Sequence, residues 1–200
     1  MKLIKGEQRF KDVIFIRIIM LASLLSFLGC KTVYKNECVQ KSIYDFELKT
    51  IDGKPFSTRE LKGKVLIFVN VASKCAFTPQ YEELQKFYEQ FKDRELVVLG
   101  FPSNDFLWQE PADNATIAQF CSTKYNVTFP MFQKISVKGS DCHPLYQFLT
   151  QKKHNGKLDC PIKWNFQKII VDKNGQVVKS IAPSVSILAK ENIQFIETLF

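Results

Sequence analysis

Apolar and polar positions change period several times along the chain, and each change marks an element. Residues 44–57, "YDFELKTIDGKPFS", alternate around Asp52-Gly53, the pattern of a small N-terminal β-hairpin closed by a tight turn. "KVLIFVNVAS" (64–73) is a nearly unbroken β-branched and apolar run, as expected of a strand covered on both faces. Thr78 and Pro79 then supply an N-cap and a first helical position. Tyr81, Leu84, Phe87, Tyr88 and Phe91 follow at spacings of three and four, giving a helix with one apolar stripe. "ELVVLGF" (95–101) is the next buried strand, which completes a β-α-β unit.

Asp113 or Asn114 caps a second helix running to about Tyr125. A short strand around "MFQKISV" (131–137) and a helix from Pro144 to about Thr150 come next. "FQKIIVD" and "QVVKSIA" flank Asn174-Gly175 as a second hairpin, and Ile193, Phe195, Ile196, Leu199 and Phe200 give a final helix its apolar side. This order of elements predicts an α/β chain of thioredoxin-like fold: a central mixed β-sheet flanked by helices, with an N-terminal β-hairpin. At 200 residues and 46% hydrophobic composition, one core suffices.

The first residues read differently. A charged stretch through Arg17 leads into the uncharged run "IIMLASLLSFLG" (18–29), which stops at Cys30. That is the pattern of a signal peptide over 1–29. "SFLGC" resembles the bacterial lipoprotein signal, which makes Cys30 a lipidation candidate; an ordinary cleaved secretory peptide is the alternative. A spanning helix is disfavoured, because Arg17 interrupts the only stretch that approaches the roughly 20 apolar residues required. Residues 30–42 form a polar tether and 43–200 the folded domain. The expected location is outside the cytoplasm, held to the membrane by an N-terminal lipid on the periplasmic side, or secreted.

Charge narrows the partners. Residues 1–29 carry five basic and two acidic side chains, so the net charge of +8 becomes +5 once they are removed. The domain is mildly basic, with no basic-aromatic block of the kind that binds nucleic acid. Solvation of the surface accounts for this charge, and attraction to anionic lipid is the sharper alternative. The six cysteines (30, 38, 75, 121, 142, 160) are scattered, and no C-x-x-C occurs, which argues against a disulfide scaffold, a zinc ribbon or a dithiol oxidoreductase. No metal or cofactor is expected.

Cys75 is the candidate for chemistry. It falls between the first core strand and its helix, at the edge of the sheet where α/β folds place their sites. A thiol there feels the helix dipole and neighbouring amides, and Lys74 precedes it. A buried, inert cysteine is the competing reading.

The successive blocks "VNVASKCAFTPQYEELQKFYEQFKD", "VVLGFPSNDFLWQEP", "FCSTKYNVTFPMF" and "IKWNFQKIIVDKNGQVV" resemble the glutathione peroxidase family over about Tyr44 to Pro183. The resemblance implies a peroxidatic Cys75, where some relatives carry selenocysteine, assisted by Gln109, Trp164 and Asn165. Neutral N–H donors near a sulfur anion favour it without adding a titrating charge. It implies that hydrogen peroxide or an organic or lipid hydroperoxide oxidises Cys75 to a sulfenic acid, and that Cys121 resolves it as a disulfide. A thioredoxin-like protein or glutathione would then restore both thiols. Cys121 reads alternatively as a core thiol at helical spacing from Ile117, and Cys160 is the reserve resolving residue. The short stretch between Leu149 and Ile162 resembles monomeric members that accept phospholipid hydroperoxides.

Departures from the family pattern cluster at Ser103, Asp105, Leu107 and Trp108. The last two can reshape peroxide access or offer an apolar lip to lipid, and Asp105 places a carboxylate near the expected thiolate. Ala76 stands where glycine is usual, Cys142 where alanine is common, and His143 belongs to a "DCHPLY" run without needing to be a base. A peroxiredoxin is disfavoured because Phe68 and Ala72 occupy its Pro and Thr/Ser positions. A peroxide-sensing relay with little turnover is the alternative from another functional class. A structural lipoprotein with a degenerate domain is the third.

Overall fold

The computed structural model describes residues 42–200. The readings of 1–29 as a signal peptide, of Cys30 as a lipid site and of the tether as far as residue 41 lie outside the described residues. The described chain contains β1 (Glu47–Lys49), β2 (Pro55–Ser57), β3 (Val65–Val71), α1 (Gln80–Phe91), β4 (Leu96–Pro102), α2 (Asn114–Tyr125), α3 (Pro144–Thr150), α4 (Lys152–Asn155), β5 (Lys168–Val171), β6 (Val177–Ile181) and α5 (Lys190–Glu197). A 3-10 turn at Thr58–Leu61 precedes β3, and another at Lys92–Arg94 precedes β4.

The main sheet has the order β4-β3-β5-β6. β3 is parallel to β4 and antiparallel to β5, and β5 is antiparallel to β6, so the sheet is mixed. All seven residues of β3 are buried, as a strand covered on both faces must be. Alternation along β3 divides the core. Val65, Ile67, Val69 and Val71 pack with Tyr81, Leu84, Phe87 and Phe91 of α1, Ile117 and Cys121 of α2, and Ile196 of α5. Leu66 and Phe68 face the other way, onto Leu145, Tyr146, Phe148 and Leu149 of α3 and the N-terminal segment through Phe46 and Leu48. Burial of each such side chain contributes about 1.5–3 kcal/mol.

Most predicted elements occur where the pattern put them, including β1–β2 as an antiparallel hairpin with Gly53 at φ +87°. Two local readings differ. Residues 131–137 make no strand: Met131 bridges to Gly100 and Phe132 to Thr50, so the segment stitches the hairpin to the sheet edge. Its backbone serves two neighbours at once, since Ile51 donates to the Met131 carbonyl and Phe132 to that of Gly100. Thr78 is not the cap of α1, which starts at Gln80 after a turn through Pro79. The short connection after Leu149 contains the one-turn helix α4. Asp113 does cap α2, its carboxylate accepting from the Thr116 amide at 2.8 Å.

Gly175, at φ +77° in the β5–β6 turn, has no room for a side chain. A Cβ would lie 2.8 Å from Ile43 Cγ2 and 2.8 Å from the Tyr44 ring. Gly175→Ala combines left-handed strain with overpacking and is expected to lower stability by about 1–3 kcal/mol. The urea midpoint should fall with an unchanged m-value; a midpoint equal to that of the parent would show that the turn is not held against the N-terminal segment.

Candidate active site

β3 ends at Val71, and the chain turns sharply at Cys75 before α1 begins. Thr78 makes that turn. Its hydroxyl accepts from the Cys75 amide at 3.0 Å and donates to the Ala72 carbonyl at 2.9 Å, and its own amide donates to the Cys75 carbonyl at 3.0 Å. The side chain read from sequence as a helix cap thus serves as the staple of the cysteine loop. The Phe77 amide points at the sulfur and donates to Cys75 Sγ at 3.4 Å. Cys75 is 8% exposed. Neighbouring Lys74 and Ala76 are exposed.

Two other segments close on this loop. The Lys74 amide donates to the Gln109 carbonyl at 3.0 Å, which ties the loop after β4 to the cysteine turn. Asn165 Nδ2 donates to Gln109 Oε1 at 2.9 Å, which brings in the segment before β5. Trp164 is half-buried and packs against Phe106, with ring centroids 5.4 Å apart. The segments that carry Gln109, Trp164 and Asn165 are therefore joined to the cysteine loop from positions remote in sequence. Among the described residues, the hydrogen bond that reaches Sγ comes from the Phe77 amide rather than from these three side chains. Asn165 Oδ1 is buried without a partner.

Asn70, not singled out from sequence, sets the position of Trp164 and Asn165. It is fully buried in β3. Its Nδ2 donates to the Trp164 carbonyl at 3.1 Å, and its own carbonyl accepts from the Phe166 amide at 2.6 Å. Phe166 is drawn to φ +67° in the process. The signal was a lone carboxamide in an otherwise apolar strand, "VLIFVNV", where a polar group persists only with a partner.

Glu110 is the second such residue. Its side chain is fully buried, with Oε1 accepting from Ser73 Oγ at 2.5 Å and Oε2 lacking a partner. Burial raises its pKa, against the Ser73 hydrogen bonds and the pull of Lys134 and Lys74. Asp105 is turned away from any role against the sulfur. Its Oδ2 accepts from Ser136 Oγ and from the Val137 and Lys138 amides, at 3.0, 2.6 and 3.2 Å. His143 caps α3, its Nδ1 accepting from the Leu145 amide at 3.2 Å.

The remaining cysteines divide by face of the sheet. Cys121, 2% exposed on α2, shares the Cys75 side of the core, whereas Cys142 and Cys160 pack on the opposite side. All four are free thiols. Burial pushes Cys121 up to about 11, partly offset by the Tyr81 hydroxyl and reinforced by the charge of Glu110. Burial likewise pushes Cys160 up to about 11. A cleft of about 390 Å³ lies between Ser73 and Lys74 of the cysteine loop and Thr116, Ile117 and Phe120 of α2.

The raised pKa of Glu110 gives a pH signature. The folded chain holds this proton more tightly than the unfolded chain does. The resulting stability is full below the ordinary carboxyl value of 4.5 and is lost as the pH rises through the higher folded value. Glu110→Gln should flatten that fall, so the difference in unfolding free energy between variant and parent shifts in favour of the variant as the pH rises. Denaturant titrations from pH 4 to pH 8 would read it, and a difference independent of pH would show that the buried carboxyl is not the titrating group.

The family model described as glutathione peroxidase matches residues 43–150. A glutathione peroxidase homolog, BsaA, of Halalkalibacterium halodurans is 49% identical over 76% of this chain and 98% of its own length. A hydroperoxy fatty acid reductase of Synechocystis is 48% identical over 69% of this chain and 85% of its own. A glutathione peroxidase-like peroxiredoxin of Schizosaccharomyces pombe is 50% identical over 68% and 85%. The crystal structure of Trgpx in its apo form superposes with a TM-score of 0.61 at 34% identity, over 80% of this chain and 95% of that one. A thioredoxin-family thiol:disulfide interchange protein of Chlorobium tepidum superposes at 0.57 with 19% identity, over 80% and 96%, which bears on the fold alone. With the mixed sheet, the cysteine turn and the Gln109–Asn165 pair already in place, these matches establish that the chain belongs to the glutathione peroxidase family and is a peroxidase-type oxidoreductase.

Proposed function

We propose that this chain reduces hydroperoxides through Cys75 and resolves the product with Cys121. The observation that carries this reading is the position of Sγ. It lies in a stapled turn with an amide donating to it, beside a polar pair supplied by two other segments. The Cys75 thiolate attacks one peroxide oxygen, forming an S–O bond and breaking the O–O bond. The departing alkoxide or hydroxide takes a proton and leaves as alcohol or water, with Cys75 as a sulfenic acid. Gln109, Trp164 and Asn165 act by orienting the peroxide and donating to developing negative charge.

In the second step the Cys121 sulfur attacks Cys75 Sγ. An S–S bond forms, the S–O bond breaks, and hydroxide leaves as water with the proton given up by Cys121. The shared side of the core supports Cys121 over Cys160. Burial in α2, with its thiol held near 11, means that this half of the cycle requires α2 to loosen. A dithiol protein of thioredoxin type, or glutathione, returns both residues to thiols. The Schizosaccharomyces relative, named a glutathione peroxidase-like peroxiredoxin, supports the protein reductant. The Synechocystis relative, named a hydroperoxy fatty acid reductase, supports organic and lipid hydroperoxides as substrates.

Mass spectrometry after one equivalent of hydroperoxide tests the cycle in the parent and in Cys75→Ser and Cys121→Ser. The parent should show a Cys75–Cys121 linkage. Cys121→Ser should stop at a trappable sulfenic acid, and Cys75→Ser should lose at least ~1,000-fold in peroxide consumption. An unlinked Cys121 in the oxidised parent would reject the resolving role. A single oxidation burst without steady turnover, in the presence of thioredoxin and its reductase, would replace the enzyme by a sensor.

The N-terminal sequence extends the proposal to location: after cleavage at residue 29, Cys30 carries a lipid that holds the domain at the membrane outside the cytoplasm. The intact mass of chain extracted from membranes should equal that of residues 30–200 plus acyl groups. An unmodified mature chain in the soluble fraction would instead indicate ordinary secretion.

A further inference from the structure

Leu107 and Trp108 are the large apolar side chains left exposed among the described residues, at 70% and 78%. Both occupy the left-handed backbone region, with φ of +51° and +50°. For side-chain-bearing residues this region is disfavoured, because Cβ crowds the following carbonyl oxygen. Their neighbours hold the conformation in place. The Gln109 amide donates to the Phe106 carbonyl at 3.1 Å, the Glu110 amide to Asn104 Oδ1 at 2.9 Å, and Phe106 is wedged against Trp164. The loop is pinned at both ends and turns its two apolar side chains outward. Within the chain they bury little, so the strain offsets nothing in the fold itself.

Three exposed lysines border this tip, and the exposed Asp159, which accepts from the Lys152 amide, shares the cleft beside Lys138. Lys74 is exposed, and its backbone amide donates to the Gln109 carbonyl of the loop. Lys138 is exposed, with its Nζ 4.2 Å from the centroid of the Phe106 ring. Lys163 is exposed beside Trp164. The two carboxylates on the loop are engaged elsewhere, Asp105 on the 136–138 segment and Glu110 on Ser73.

We propose that Leu107 and Trp108 form an insertion tip that seats this face on an anionic phospholipid bilayer, with Lys74, Lys138 and Lys163 at the headgroup level. An indole beside an aliphatic side chain suits the interface, where one end is apolar and the other wet. Each lysine near such a surface is drawn to the anionic headgroups. Two side chains protruding from a pinned loop fit a yielding lipid layer better than a shaped protein pocket. Gln109 directly follows the tip, so seating brings the Cys75 turn to the height at which an oxidised acyl chain reaches the interface. That last point rests on the proposed peroxidase reading, whereas the membrane contact does not.

The test uses the full chain with phosphatidylcholine vesicles bearing brominated acyl chains, with and without phosphatidylglycerol. In the parent, the anionic vesicles should quench part of the tryptophan fluorescence. In Trp108→Asn, where Trp164 alone remains, that quenching should vanish. Asparagine tolerates the left-handed region, so both it and the double variant L107N/W108N should stay folded, which circular dichroism checks. The double variant should reduce vesicle-borne phospholipid hydroperoxide at least ~fivefold more slowly, with its rate on hydrogen peroxide unchanged. Equal fractional quenching in the parent and Trp108→Asn would overturn the proposal, as would equal quenching by vesicles lacking phosphatidylglycerol. Equal loss on both peroxides would mean that the tip shapes the site instead. Slower re-reduction by thioredoxin with vesicle binding intact would assign the tip to a protein partner and likewise overturn it. Quenching needs no turnover, so failure of the peroxidase reading leaves this result separately legible.

Discussion

The site depends on one polar clasp in an apolar strand. Asn70, fully buried in β3, holds the 164–166 segment twice, through its side chain to the Trp164 carbonyl and through its backbone carbonyl to the Phe166 amide. β3 also delivers Cys75 just beyond its end. A single residue therefore sets the cysteine turn and the Trp164–Asn165 segment in a common frame. Releasing the buried Nδ2 would leave a second orphan beside Oδ1, which already lacks a partner, so burial holds the clasp closed.

Around that frame the chain accepts local conformations that no propensity favours. Phe166 sits at φ +67°, and Leu107 and Trp108 at about +50°. Strain of this kind persists only where packing and hydrogen bonds over-determine it, and such residues gather at working surfaces. Here they flank the same cluster. The Gln109–Asn165 bond joins the two strained segments, so they brace each other across the mouth of the cysteine turn.

The proposed cycle places opposite demands on its two thiols. Cys75 lies at the end of a strand, in a turn held by Thr78, where its sulfur meets an amide without the helix having to move. Cys121 lies inside α2, in the core, and its thiol is pushed up to about 11 by burial. For the proposed cycle to run, the helix that buries Cys121 must open for that sulfur to act. In that cycle, capture of peroxide would be preorganised and resolution gated by local stability.

Sequence by itself determined most of the elements and the family. The periods of two and 3.6, the Asp52-Gly53 and Asn174-Gly175 turns and the apolar stripe of α1 are local properties, and each produced its element. The lone Cys75 at a strand end and the blocks around Gln109, Trp164 and Asn165 identified the family before any contact was known. Tertiary structure alone decided which partner each polar group takes. Thr78 carries every local mark of a helix cap yet staples the cysteine loop, because the Ala72 carbonyl and the Cys75 amide lie within its reach once the chain folds back. Asp105 reads as a carboxylate beside a thiolate yet is consumed by donors 31–33 residues away. Residues 131–137 have a strand's composition but serve two neighbours as a bridge. Side-chain period and turn chemistry act between residues a few positions apart, whereas hydrogen-bond partners are chosen across the fold, by packing that brings distant segments within 3 Å of each other.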